Sequence, residues 1–144
     1  MKYSIFLDSD IILDIALKRD PFFSASAQIF SMVEYKKIRG YTSSVIISNI
    51  YYILRKIESH KSAVKFISKL RLIISILPVN DRIIELALES KFKDFEDAIQ
   101  CFTAVTENVD SLITRNIKDY KSSKIKVYTP EEYLHIMKRI TGAL

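Results

Sequence analysis

The side chains best suited to chemistry in this 144-residue sequence are acidic and amide groups that occur at three separate places. They are Asp8 and Asp10, Asp94 and Asp97, and Asn116 and Asp119. Two carboxylates about 4 Å apart repel each other by about 4 kcal/mol at an effective dielectric of about 20, so a fold that gathers several needs a cation. Oxygen ligands without a paired histidine or a cysteine nearby favour Mg²⁺ or Mn²⁺ over zinc. The pattern therefore predicts a divalent-metal site if the fold brings these places together.

Each of these residues also has an ordinary structural explanation. Asp94 is a good helix N-cap, and Asp10 could cap the first helix. Asn49, inside an apolar helical run, could be a hydrogen-bonded core amide, and Asp119 could belong to a surface loop. Asp14 is expected on the exposed surface of the first helix. Taken one residue at a time, these explanations compete with the metal site, so the predicted fold has to decide between them.

The segments that carry these residues alternate between strand-like and helix-like patterns. Apolar residues 3–7 are typical of a buried strand, and short strands are also predicted at "GYTSS", "IISILPV", "SLIT" and "IKVY". Amphipathic helices fill the intervals, and parallel strand pairing requires such crossovers. The sequence predicts an α/β fold: a three-layer α/β/α sandwich with a mainly parallel central sheet of about five short strands. Ligands of such sheets bind beyond the carboxyl ends of the strands, where Asp8 and residues 114–116 lie.

Helix starts are marked by capping residues along the chain. The expected N-caps are Ser43 or Ser44, Asn80 or Asp81, Asp94 and Thr129. "RDPFF" also predicts a helix start, with Asp20 at the cap and Pro21 at the first helical position. These starts place Asp94 and Asp97 together in the first turn of one helix.

Composition limits the class of protein. The net charge of +5 permits a polyanionic partner such as nucleic acid but does not require one. One cysteine, Cys101, allows no internal disulfide and no cysteine-based zinc site. The N-terminal residues show no signal-peptide pattern, and no apolar run reaches the ~18 residues of a membrane span. We therefore expect a cytoplasmic protein that consists of a single domain over residues 1–144.

Other acidic motifs fit the sequence less well. An EF-hand loop would need a further ligand and a glycine where Ile12 and Leu13 stand. A haloacid-dehalogenase-type phosphatase also begins with a strand and D-x-D, but it requires Thr or Val at Ile12 and a later aspartate pair. That phosphatase remains an alternative enzyme class. The sequence contains no glycine-rich phosphate loop, nucleophile elbow or Ser/His/Asp arrangement.

Four motifs occur in order over most of the chain. They are "DSD" at 8–10, "TSSVIISNIYYILRK", "DFEDAIQCFTA", and "ITRNIKDY" followed by "TPEEYL". Together they resemble PIN domains, the metal-dependent ribonuclease fold of VapC-like toxins, and in particular a bacterial subgroup distinct from the commonest toxins. The last family motif ends in D-F, where this chain has Asp119 and Tyr120. Many PIN domains carry Glu at Asn49 and Asp at Asn116, so two acidic groups are replaced by amides.

The resemblance implies roles for particular residues. It implies a catalytic set in which the first three members bind Mg²⁺ or Mn²⁺: Asp8, Asp97, Asp119 and Asn116. Second-tier contributions are expected from Asn49, Asp94, Asp10, Ser9 and Thr114. The basic side chains expected to guide an RNA backbone, unless they are simply a solvated loop, are Arg115, Lys118 and Lys121.

The function implied by this resemblance is that of a metal-dependent endoribonuclease, the toxin of a toxin–antitoxin pair. Its partners would be RNA, a small antitoxin protein and a second copy in a homodimer, with no membrane involved. The replacements at Asn49 and Asn116 favour an alternative on the same fold. That alternative is a catalytically weak or inactive module that binds nucleic acid or has a regulatory role.

Overall fold

The computed structural model describes residues 2–142, in which one parallel sheet is covered by helices. The strands are β1 (Ser4–Leu7), β2 (Arg39–Ser43), β3 (Ser75–Leu77), β4 (Ser111–Ile113) and β5 (Lys126–Tyr128). The helices are α1 (Ser9–Ala16), α2 (Phe23–Glu34), α3 (Ser44–Ile57), α4 (His60–Leu70), α5 (Asp81–Glu89), α6 (Phe95–Thr106) and α7 (Pro130–Thr141). A 3₁₀ helix, Ile117–Tyr120, lies between β4 and β5. The predicted three-layer α/β fold with five short strands is confirmed, and all four strand pairings are parallel.

The order of the strands across the sheet is β3-β2-β1-β4-β5. From β1 the chain first builds outward through β2 to β3, and it later returns to the other side of β1 with β4 and β5. The direction of winding therefore changes between β1 and β4. In open parallel sheets, a crevice forms beyond the carboxyl ends of the two strands at such a change, and ligands bind there.

The apolar core fixes the elements that border this crevice. Ile5, Phe6 and Leu7 of β1 are fully buried, because β1 is the central strand and is covered on both faces. Helix α6 is held on two sides, since Cys101 packs in the main core and Phe102 packs in a smaller cluster with α5. Among residues 2–142 no helix has the length and hydropathy needed to cross a bilayer.

The predicted helix caps at Asp94 and Thr129 are confirmed. At the two positions where the sequence left a choice between neighbouring residues, the caps are Ser43 and Asn80. Backbone N–H groups donate to the side chains of Ser43, Asn80, Asp94 and Thr129. The predicted start at "RDPFF" is wrong, because α2 begins at Phe23 and Phe22 provides no side-chain cap. The backbone N–H groups of Phe22 and Phe23 both donate to the Arg19 carbonyl, so Asp20 and Pro21 belong to the preceding turn.

Candidate functional site

Asp8 stands where β1 ends and α1 begins. Its backbone N–H donates to the Ile113 carbonyl at 3.0 Å, which continues the pairing of β1 with β4. Its Oδ1 accepts from the Ser9 backbone N–H at 2.8 Å, so Asp8 is the N-cap of α1. The expectation that Asp10 could cap this helix is wrong, because α1 begins two residues earlier than an Asp10 cap requires. Asp8 is nevertheless buried, with a relative exposure of 8%.

Two hydroxyl groups from the segment after β4 hold the other oxygen of Asp8. Thr114 Oγ1 donates to Asp8 Oδ2 at 2.8 Å, and Thr114 is fully buried. Tyr120 Oη donates to the same oxygen at 3.1 Å. The parallel pairing of β1 with β4 brings these groups together, because it places the residues that follow the two strands side by side.

Tyr120 also reaches the late helix. Its Oη lies 3.3 Å from Asp97 Oδ1, so one hydroxyl bridges Asp8 and Asp97. A hydroxyl carries one proton and can donate to one of the two carboxylates at a time. Asp97 is half-buried in the first turn of α6, and its backbone N–H donates to the cap residue Asp94 at 2.9 Å. The predicted pairing of Asp8 with the start of α6 is thus present, through a hydroxyl group.

Asp10 ties α1 to the same segment. Its Oδ2 accepts from the Arg115 backbone N–H at 3.0 Å and lies 3.4 Å from Thr114 Oγ1. Its Oδ1 is buried without a hydrogen-bond partner. A buried oxygen of this kind is an unused ligand position, because carboxylate oxygens are among the preferred ligands of hard cations.

The burial of Asp14 differs from the prediction made from the sequence. It was expected on the helix surface, but it is fully buried. Arg115 approaches it at two points, Nη2 to Oδ1 at 3.2 Å and Nε to Oδ2 at 2.8 Å, and Arg19 Nε lies 3.1 Å from Oδ1. The Arg115 guanidinium also stacks on Phe22, with its central carbon 3.9 Å from the ring centroid. Two arginines therefore compensate the buried charge of Asp14, and one of them was predicted to contact RNA.

The acidic groups at the crevice hold their protons more tightly than usual. Burial raises the pKa of Asp8, and the neighbouring Asp119 adds to this effect. Burial followed by the charge of Asp8 raises the pKa of Asp10 to about 6. The same two causes, with a further contribution from Asp94, raise the pKa of Asp97 to about 7. A cation at this position would relieve both the repulsion and the loss of solvation.

We expect the metal-free protein to lose stability as the pH rises from about 4 to about 7. The raised pKa values of Asp10 and Asp97 mean that the folded state binds more protons than the unfolded state between the usual value of 3.8 and these values. The free energy of unfolding then falls as pH increases across that range. Urea unfolding in EDTA should give a lower midpoint at pH 7.5 than at pH 5. Asp97→Asn should reduce the difference between the two midpoints. A midpoint that rises with pH would contradict the raised pKa values of Asp10 and Asp97.

The carboxylate oxygens at the crevice are suitable ligands for a divalent cation, although they do not form a complete coordination site. Within residues 2–142, no three Asp, Glu, His or Cys side chains are arranged closely enough to hold one metal ion. The carboxylates of Asp8 and Asp97 share the Tyr120 hydroxyl. Asp10, whose Oδ1 has no hydrogen-bond partner, and Asp119 belong to the same electrostatic neighbourhood, since the charge of Asp8 raises the pKa of Asp10 and that of Asp119 raises the pKa of Asp8 and Asp97. Oxygen donors without nearby thiolate or imidazole are the set that Mg²⁺ and Mn²⁺ prefer.

The remaining predicted residues lie around this centre. Asn116 has an exposed side chain, and its backbone N–H donates to Thr114 Oγ1 at 3.2 Å. Asn49 is half-buried on α3, and its Nδ2 lies 3.4 Å from Glu96 Oε2 on α6. The structure thus brings Asn49 to Glu96, the residue before Asp97, and leaves the amide of Asn116 in solvent.

A basic cleft of about 390 Å³ adjoins the acidic centre. Its walls contain four lysines and two acidic residues, namely Lys91, Lys93, Lys118, Lys121, Asp94 and Asp119. A larger cleft, of about 660 Å³, lies at the amino end of the sheet and includes Tyr3 and Asp110. Asp110 Oδ2 there accepts from the backbone N–H and the hydroxyl of Ser4, so this carboxylate is committed to holding β1. The smaller cleft is therefore the better candidate for an anionic ligand.

Tyr120 is the functional candidate that sequence reasoning missed. The family motif ends in D-F, and this chain replaces the apolar ring with one that carries a hydroxyl. That difference was a usable signal, because a buried tyrosine hydroxyl usually has a hydrogen-bond partner. Tyr120 is 3% exposed, and burial together with the two carboxylates raises the pKa of its hydroxyl well above the usual range. It therefore remains a proton donor.

Comparison with known proteins identifies the family. The sequence model described as PIN domain matches residues 4–118, most of the chain. The chain belongs to the PIN domain family. It is 34% identical over 134 residues to ribonuclease VapC1 of Aquifex aeolicus (strain VF5), covering 90% of this chain and 92% of that protein.

Solved structures share the PIN fold. VapBC2 from Rickettsia felis, bound to a DNA fragment from its promoter, matches with a TM-score of 0.68 and 15% identity, over 88% of this chain and 98% of that chain. VapC20 from Mycobacterium tuberculosis, described as a sarcin-ricin loop cleaving toxin, matches with a TM-score of 0.61 and 16% identity, over 75% of this chain and 86% of that chain. At these identities the likeness concerns the fold.

Proposed function

We propose that this PIN domain, spanning residues 1–144, is a Mg²⁺- or Mn²⁺-dependent endoribonuclease and the toxin of a toxin–antitoxin pair. The observation that carries the proposal is the convergence of Asp8 and Asp97 on one hydroxyl, at the crevice where the sheet changes its direction of winding. The 34% identity to a protein named ribonuclease VapC1 supports the same substrate class. Membership of the PIN family gives no support to the phosphatase alternative.

In the proposed site, Asp8 and Asp97 would hold the ion, with Asp119 beside them. A bound divalent ion would acidify a water and neutralise charge on the attacked phosphodiester. Thr114 fixes the orientation of Asp8 through a bond to Oδ2, and the Ser9 backbone N–H fixes it through Oδ1. Asp10, which has one unpartnered oxygen, would accept a hydrogen bond from a water near the ion. Asn116 would contribute its exposed amide at the solvent side.

The test is cleavage of single-stranded RNA by the purified protein with Mn²⁺ or Mg²⁺ and with EDTA. We expect endonucleolytic products with metal, none with EDTA, and loss of the products in Asp97→Asn.

A specific observation favours the second candidate, a non-catalytic nucleic-acid-binding or regulatory module: residues 2–142 contain no three acidic, His or Cys side chains arranged closely enough to hold one ion. Metal-independent RNA binding without any cleavage would favour that module over the enzyme.

The basic cleft with its four lysines is the proposed path of the RNA backbone. Removing Lys118 and Lys121 together should weaken RNA binding and its dependence on salt, because each phosphate contact in single strands contributes about 0.7 to the slope of log affinity against log salt. The double variant Lys118→Ala/Lys121→Ala should therefore reduce the slope by about 1.4. Fluorescence anisotropy of a labelled RNA, titrated in EDTA at several KCl concentrations, measures this slope.

A matched control for the cleft is Lys37→Ala/Lys126→Ala. Both lysines are exposed, and they lie at the amino ends of β2 and β5, at the other end of the sheet. This variant has the same change in net charge and should keep the slope of the unmodified protein. Equal slopes in the two double variants would show that overall charge, and not the cleft, attracts RNA. Arg115, engaged with Asp14 and Phe22, is proposed as a weaker contributor.

A small antitoxin is the proposed protein partner. One solved structure of similar fold is described as a toxin–antitoxin complex from Klebsiella pneumoniae, which supports this partner. The proposal adds a homodimer, from the family resemblance, and a cytoplasmic location, from the sequence patterns. A small reading frame next to this one, whose product copurifies with the protein and stops RNA cleavage, is the expected finding.

A further inference from the structure

We propose that the Tyr120 hydroxyl is a built-in competitor of the metal ion: it holds Asp8 and Asp97 together in the metal-free protein and has to release them when the ion binds. This inference rests on the proposed function, because it takes these two carboxylates as the metal ligands. It concerns how tightly the ion binds, and it assigns Tyr120 a regulating position in the site and no part in the chemical step.

The first support is the number of hydrogen bonds already made by Asp8. An ionised carboxylate offers about two acceptor positions on each oxygen. Asp8 Oδ2 accepts from Thr114 Oγ1 at 2.8 Å and from Tyr120 Oη at 3.1 Å, so both of its positions are used. This is also the oxygen that shares the Tyr120 hydroxyl with Asp97. If an ion were held by both carboxylates through this oxygen, it would have to displace a hydrogen-bond donor.

The second support is the difference between the two donors. The bond from Tyr120 to Asp8 is 0.3 Å longer than the bond from Thr114, at 3.1 Å against 2.8 Å. Each hydroxyl also has a second acceptor, which is Asp97 Oδ1 for Tyr120 and Asp10 Oδ2 for Thr114. The length of the bond to Asp8 therefore distinguishes the two donors, and longer hydrogen bonds are weaker. Tyr120 is thus the donor that an incoming ion displaces more easily.

The third support is the position of the tyrosine ring. Tyr120 is 3% exposed, and its ring makes an edge contact with Phe92 at a centroid distance of 6.0 Å. A hydroxyl held by a buried ring cannot turn freely into solvent for a new partner, so its release from the carboxylates opposes metal binding.

The variant that tests this inference is Tyr120→Phe, which keeps the ring and removes the hydroxyl. Calorimetric titration of the metal-free protein with MnCl₂ should show an affinity about 10-fold higher than that of the unmodified protein, the factor that one hydrogen bond to a charged group contributes. In EDTA, the variant should unfold at a lower urea concentration, because the two carboxylates lose their shared donor. At saturating Mn²⁺ the two proteins should unfold at similar urea concentrations.

The matched control is Tyr133→Phe. Tyr133 is also buried, at 4% exposure, but it borders the cleft at the amino end of the sheet. Its substitution should leave the Mn²⁺ affinity unchanged. Equal or weaker Mn²⁺ binding by Tyr120→Phe would overturn the competition, because the hydroxyl would then keep its bonds in the metal-bound state or bind the ion itself. Absence of Mn²⁺ binding in both Tyr120→Phe and the unmodified protein would instead overturn the metal site and with it the proposed function.

Discussion

Replacing Asp8 with asparagine is expected to lower the rate of RNA cleavage by about 1,000-fold, the effect of losing roughly 4 kcal/mol of transition-state stabilisation by an ion. The same change should raise the stability of the metal-free protein at pH 7.5. Asp8 is buried, and its charge raises the pKa of both Asp10 and Asp97, so a neutral side chain removes repulsion that the fold now tolerates. Asparagine retains the oxygen that caps α1.

The two effects can be measured on one preparation. Single-turnover cleavage at saturating Mn²⁺ gives the rate, and urea unfolding in EDTA gives the free energy of unfolding. The matched control is Asp94→Asn, which also removes one carboxylate near the site while asparagine still caps α6. We expect this control to cleave within about 10-fold of the unmodified protein. Cleavage by Asp8→Asn at the control's rate would remove Asp8 from the proposed site.

Asp14→Asn is expected to destabilise the protein by about 3 kcal/mol, the loss typical of a buried ion pair that is deprived of one partner. Asp14 is fully buried, whereas Arg115 and Arg19 are partly exposed, which places the value at the lower end of that range. For a chain of this length the melting temperature should fall by about 10 °C. The loss should also reduce cleavage, because the Arg115 backbone N–H holds Asp10.

The ion-pair explanation is tested by removing both partners. Asp14→Asn/Arg115→Met should be more stable than Asp14→Asn alone, since the double variant no longer leaves the Arg115 guanidinium without its carboxylate. Glu85→Gln is the surface control, because it breaks an exposed pair with Arg82 on α5 and should change stability by less than about 1 kcal/mol. A loss below about 1 kcal/mol in Asp14→Asn would show that solvent replaces the arginines.

The fold could be predicted from the sequence because its signals are local. Strand ends, capping residues and helical periodicity each lie within a few positions. The caps at Asp94 and Thr129 were correctly placed, and those at Ser43 and Asn80 were each predicted as one of two neighbouring residues. The predicted helix start at "RDPFF" was wrong although its two signals, Asp20 and Pro21, are local as well. Hydrogen bonds from the Phe22 and Phe23 backbone to the Arg19 carbonyl include both residues in a turn, and α2 begins only at Phe23.

The interior of the site could be predicted less well, because it depends on contacts across more than 100 positions. Asp14 was expected in solvent because its own helix gives no sign of Arg115, which lies 101 residues away in the chain. Asp8 and Asp97 were correctly expected to be neighbours, because Asp8 directly follows β1 and Asp97 lies in the first turn of α6. The sequence marks Tyr120 only by its hydroxyl in place of the motif's apolar ring, and the two carboxylates that it contacts, Asp8 and Asp97, emerge only from the fold.

The long sequence separation of these contacts also governs when the site can exist. The hydroxyls that hold Asp8 belong to residues 106 and 112 positions later in the chain. At the usual synthesis rate of roughly 5–20 residues per second, Asp8 emerges from the ribosome about 5 to 22 seconds before its partners. A chain interrupted before Thr114 therefore carries Asp8 without either hydroxyl. For a proposed toxin, this order of synthesis delays assembly of the site until most of the domain has been made.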